Sequence, residues 1–169
     1  LHFPEPRDVD TERAMLGCLM VRNKVYEQVG SFLRWDHFSE PLFQRLYEAI
    51  EKLIKAGKDA GPVTLRPLFL NDVALNELGG YPYLVDLMAF PISINDAASF
   101  ARTIVDLAKR REITGIGQDL VKAATELPAD LTTTALVEQA SAALLDLDLK
   151  AGAQETIRGG LAASLAVAK

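Results

Sequence analysis

Thiols, imidazoles and surplus positive charge are scarce in this 169-residue chain, which has one cysteine, two histidines, and 18 basic against 23 acidic side chains for a net charge of −5. A lone thiol cannot staple a fold, and His2 and His37, far apart and without a cysteine partner, do not make a metal site. Cys18 sits inside AMLGCLM and is read as a small buried apolar group, because a catalytic thiol needs a basic partner and only those two histidines exist. The lack of disulfide partners points to a reducing compartment, the cytoplasm. Counterion release from phosphates rewards a basic surplus, so the acidic balance argues against a chain that grips nucleic acid by itself. Protein partners are the better expectation.

Long apolar runs are missing too. A charge or a turn residue interrupts every candidate before the ~20 residues that a membrane span needs. The opening LHFPEPRDVD has no basic flank and no apolar core, so it does not read as a secretory signal. What is present is 49% apolar and 24% charged residues, the profile of a soluble globular chain of about one domain.

The pattern is helical almost throughout, and the expected fold class is all-α. Asp8 or Asp10 can cap a first helix over residues 10–22, with Met15, Leu16, Leu19 and Met20 at helical spacing. Asn23 can cap a short second helix through KVYEQVGSFL. Ser39-Glu40-Pro41 opens a third, since proline's missing N–H costs nothing in a first turn. Leu42, Leu46, Ala49, Ile50, Leu53 and Ile54 then form one stripe, and Gly57 is its left-handed end. Thr64 begins TLRPLFL, and the pair Gly79-Gly80 divides the following NDVALNEL from YPYLVDLM, whose Pro82 suits a first turn.

From Ser93 a stretch of about 35 residues runs without proline. A helix of ~30 residues would be near 45 Å long, more than a compact domain of this size is wide. Pro128 stops it, and Thr132 to Thr134 can cap a return helix with Leu136, Val137, Ala140, Ala143, Leu144 and Leu147 on one face. The result is an antiparallel hairpin with apolar surface that a second copy covers most cheaply. KAGAQE then reads as a linker, and ETIRGGLAASLAVAK as an amphipathic segment with Ile157, Leu161 and Leu165 on a narrow stripe. Gly159 and Gly160 weaken that segment by ~1 kcal/mol each, so it wants a partner groove. The expected organisation is a compact multi-helix head over 1–92, a long antiparallel hairpin over 93–148, and a linker with its helix over 149–169.

No catalytic pattern stands out. A phosphate-binding loop needs GxxxxGK[ST], but before the one Gly-Lys pair, Gly57-Lys58, Lys52 occupies the first glycine position, and Asp59 follows where Ser or Thr is required. Gly115-Ile116-Gly117 lies inside a helical run and has no third glycine at the required spacing. Gly79-Gly80 precedes no phosphate ligand and is read as punctuation between helices. Asp36 beside His37 in WDHF reads as a solvated turn rather than an acid–base pair. In the run Lys109-Arg110-Arg111-Glu112, pairing along the helix with nearby carboxylates is the plainer reading.

Four stretches together carry a resemblance. DVDTERAMLGCLM is similar to the opening helix of the N-terminal domain of DnaB-family replicative DNA helicases. HFSEPLFQRLYEAIEKLIKAGK with the following PVTL resembles that domain's long third helix and its glycine stop, and LGGYPYLVDL resembles its GG-x-x-YL-x-x-L segment. SINDAASFARTIVDLAKRREI resembles the run into its hairpin, so the likeness covers roughly residues 7–147 in the right order.

The resemblance implies a collar domain of a hexameric helicase, one that supports ring assembly and offers a docking surface to primase and to the helicase loader. Self-association as a dimer, or as a ring built from three dimers, follows from the same likeness. It also implies that ATP, Mg and single-stranded DNA belong to a RecA-like motor domain beyond this chain. These residues then hold no active site, no cofactor and no membrane contact. Leu107, Arg110, Ile113 and Leu120, facing Leu136, Leu144 and Leu147, are the expected intersubunit positions, although each serves equally well to close the hairpin on itself. Ile157, Leu161 and Leu165 are expected to dock the linker helix on a neighbouring subunit. The rival readings are a stand-alone helical adaptor that binds a replicative helicase and a small enzyme with an unrecognised pocket.

Overall fold

The computed structural model describes residues 4–89, 93–126 and 132–147, and among them there are helices and turns but no strand, the all-α class expected. The chain divides into two compact units, Leu1–Ala108 and Lys109–Lys169.

In the first unit, α1 (Val9–Val21) starts where Asp8 accepts hydrogen bonds at 3.0 Å from the Thr11 N–H and at 2.7 Å from the Thr11 hydroxyl. That capping also holds the Asp8 carboxyl below the usual range, the side-chain bond from Thr11 contributing most. Residues Ala14 to Met20 are buried without a gap, so α1 is enclosed on all sides rather than laid on a surface. Its neighbours are α3 (Pro41–Lys55) and α6 (Tyr81–Met88). Cys18 is one of the enclosed residues, and burial raises its thiol pKa.

The second expected helix is shorter than its sequence suggests. A 3-10 turn at Asn23–Val25 leads into α2 (Tyr26–Val29), which ends at Gly30. Asn23 caps nothing there. Its amide donates to the carbonyls of Leu19 and Ala60 at 2.8 and 3.3 Å, and its oxygen accepts from the Ala60 N–H at 2.9 Å, tying the end of α1 to a loop 37 residues away. The Tyr26 ring lies against Gly30, where a Cβ would stand 2.4 Å from it.

α3 has Pro41 in its first turn and buries Leu42, Phe43, Leu46, Tyr47 and Ile50, with Ala49, Leu53 and Ile54 partly buried beside them. The Tyr47 hydroxyl donates to the Leu33 carbonyl at 2.8 Å, and its ring tilts against Phe38 at 5.1 Å. Gly57 ends the helix at φ +69°, with the Gly57 N–H bonded to Ile54 and the Lys58 N–H to Leu53, the pairing of a Schellman end. α4 (Pro62–Leu65) begins two residues before the expected Thr64, because the Thr64 hydroxyl serves its N-terminus by accepting from the Gly61 N–H at 3.0 Å.

The glycine pair does two separate jobs. At the end of α5 (Val73–Glu77) the N–H groups of Gly79 and Gly80 bond back to Asn76 and Leu75, a second Schellman end with Gly79 at φ +109°. Gly80, at φ +69° and ψ −133°, then begins α6, a backbone conformation that is essentially glycine's own. α7 (Ala97–Glu126) supplies buried Ala97, Ala101, Ile104, Val105 and Ala108. The run expected as hairpin from residue 93 thus contributes its first turns to the first unit.

Candidate assembly interface

The second unit is described over the distal part of α7 and over α8, residues 133–147. α8 opens where the Thr132 hydroxyl accepts from the Ala135 N–H at 3.2 Å, as the threonine run suggests. Pro128, the expected stop of α7, lies outside the described residues.

Between the two helices runs a groove of about 220 Å³. Ile116, Leu120 and Ala123 line it from α7, and Leu136, Ala140 and Ala143 from α8, with Asp119 and Gln139 as its polar members. Leu120 and Leu136, expected as intersubunit positions, thus line one groove within the chain. Ile116 and Ala123 were not singled out by sequence, although their i, i+4, i+7 spacing through Leu120 was there to read.

The apolar face of α8, expected as one stripe, is two. Leu136, Ala140 and Ala143 line the groove, whereas Val137, Leu144 and Leu145 are 59%, 48% and 62% exposed. On α7, Ile113 and Val121 are 52% and 59% exposed. Arg110 is exposed, Leu147 is half-buried, and Leu107 belongs to the first unit rather than to the groove. Ile157, Leu161 and Leu165 lie outside the described residues. Scattered apolar residues are normal on a surface, but this single helix pair carries five well-exposed ones.

The first unit has its own exposed apolar group at Leu68, Leu70, Val73 and Leu78. Nearby, a cleft of about 180 Å³ is floored by Phe69, Leu75 and Leu84, with the Arg66 guanidinium 5.3 Å from the centre of the Tyr81 ring.

In the turn expected to be solvated, Trp35 and Asp36 are exposed as expected, whereas His37 is buried. The His37 Nδ1 accepts from the Arg34 N–H at 3.1 Å, closing a 3-10 turn, while Asp36 pairs with the Arg34 side chain. The Arg34 hydrogen bonds hold the Asp36 carboxyl below its ordinary range against the opposing effect of burial. The histidine is a structural bracket. Among the described residues no group of three or more His, Cys, Asp or Glu could hold a metal ion, and no helix is long and apolar enough to cross a membrane.

Residues 4–106 match the family described as DnaB-like helicase N terminal domain. The chain belongs to that family. It is 33% identical over 142 residues to the replicative DNA helicase DnaB of Rickettsia typhi, covering 84% of this chain. It is 27% identical over 125 residues to the replicative DNA helicase DnaC of Bacillus subtilis, covering 74% of this chain. The chain spans only 29% and 26% of those two relatives' lengths. The crystal structure of the N-terminal domain of DnaB helicase from Mycobacterium tuberculosis matches with a TM-score of 0.73 at 25% identity, covering 85% of this chain and 99% of that one.

Proposed function

We propose that this domain is the collar of a replicative DNA helicase, and that its hairpin holds the subunits of a ring together, first in pairs and then as three pairs. The observation that carries this is the exposed apolar set on the hairpin, Ile113, Val121, Val137, Leu144 and Leu145, none of which lines the groove between α7 and α8. Relatives named as replicative helicases support it. On the same reading, the exposed apolar group around Leu68, Leu70 and Val73 receives primase or the helicase loader. The whole protein is an ATP-dependent helicase of the cytoplasm. ATP, Mg and single-stranded DNA belong to a motor domain reached through residues 149–169, with Ile157, Leu161 and Leu165 docking on a neighbour.

Light scattering over a range of concentrations tests assembly. Dimers, or larger species building from them, are expected, and the double variant Val137→Glu/Leu144→Glu should shift the chain toward monomer without altering its helical circular dichroism. A strict monomer at high concentration would refute hairpin-driven assembly.

A further inference from the structure

We propose that α7 bends at Thr114–Gly117, a hinge that leaves the direction of its distal half to be set by whatever the hairpin packs against. The inference goes beyond the assembly reading and does not require it.

Three observations meet at this point. Up to Ala108 the helix is held by burial of Ala97, Ala101, Ile104, Val105 and Ala108, whereas no residue from 109 to 126 is buried. In that uncovered stretch stand Gly115 and Gly117, and a Cβ on either would meet nothing within 4 Å. Packing among the described residues therefore gives no reason for glycine, in contrast to Gly17, where a backbone oxygen would stand 1.9 Å from the added carbon. Finally, the Thr114 hydroxyl donates back to the Arg110 carbonyl at 2.9 Å, competing for an oxygen of the helix's own ladder. Glycines loosen a helix by backbone entropy, and kinks gather where glycine or an inserted hydroxyl disturbs the i to i−4 bonds. Relative to alanines, two glycines make the local opening easier by roughly tenfold or more.

Amide hydrogen exchange tests this on the full chain beside the Gly115→Ala/Gly117→Ala variant, which the open space around both positions lets fold normally. Amides 115–121 should exchange at least about tenfold faster than those of 101–108, and the alanines should slow them by about tenfold or more. Pulsed spin-label distances give the second reading, with labels at Arg102→Cys and Lys122→Cys in a Cys18→Ala background, diluted with unlabelled chain. A straight helix would separate these positions by about 30 Å along its axis. The expected distribution is broad and reaches below that value, narrowing toward it in the alanine variant. A single narrow distance near 30 Å with glycines present would overturn the hinge. So would exchange unchanged by the alanines. Loss of self-association in the alanine variant with neither reading altered would also overturn it, and would mean that the glycines admit a neighbouring helix instead.

Discussion

Gly17 of α1 and Leu87 of α6 meet backbone to backbone, so that a Cβ built on Gly17 would stand 1.9 Å from the Leu87 carbonyl oxygen. No side chain is there to give way. Gly17→Ala must push α6 off the helix at the centre of the head, and we expect a loss of about 1–3 kcal/mol or more, as for overpacked cores. Urea unfolding of the two proteins measures it; equal midpoints would show that the two helices part without cost.

Gly57 and Gly80, two of the helix-bounding glycines at positive φ, separate conformational cost from steric cost. Gly57→Ala should lose about 1–2 kcal/mol for placing a Cβ in the left-handed region, since nothing lies within 4 Å of it. Asparagine tolerates that region better, so Gly57→Asn should lose less. Gly80→Ala, at φ +69° and ψ −133°, should lose about 1–3 kcal/mol. Thermal midpoints should fall in the order Gly57→Asn, then Gly57→Ala, then Gly80→Ala, and a reversed order would contradict the backbone account.

Asn23 joins α1 to the loop at Ala60 through three hydrogen bonds. Ala60 is fully buried, so Asn23→Ala leaves its N–H without a partner and water cannot replace one. The expected loss is about 1–3 kcal/mol. Asn23→Asp keeps the acceptor but loses the amide donor, and its denaturant midpoint should fall between those of the parent and the alanine variant.

Arg45 grips Asp72 with two hydrogen bonds of 2.8 and 3.0 Å, while Asp72 also caps α5. The Arg45 guanidinium, opposed by burial and helped by the Leu75 N–H, holds the Asp72 carboxyl below its usual value. A carboxyl depressed in the folded state stabilises above its unfolded pKa near ~3.9, and the contribution disappears as pH falls through the lower folded value. Asparagine can still cap, so Asp72→Asn removes mainly the ion pair, about 0.5–1 kcal/mol near neutral pH because Arg45 is partly exposed. The stability gap between the two proteins should be widest at about pH 6–7 and shrink below about pH 4. A gap that stays constant down to about pH 2 would rule out the ion pair as its source.

Local backbone demands were legible in the sequence. The stop at Gly57, the break at Gly79-Gly80, Pro41 at a helix start and the stripe of α3 depend on residues within a few positions of one another, where proline, glycine and helical spacing act directly. The same period marked Leu120 and Leu136, which line one groove. What only the tertiary structure decided are contacts between distant positions: Gly17 against Leu87, Asn23 with Ala60, the Tyr47 hydroxyl on Leu33, and the burial of His37. Helical period identifies an apolar side but not which neighbour fills it, and α1, buried all round, offers no polar side to contrast with. The splitting of α8 into a groove-lining row and an exposed row had the same origin, because the packing angle of its partner helix settles which of two adjacent apolar rows is covered.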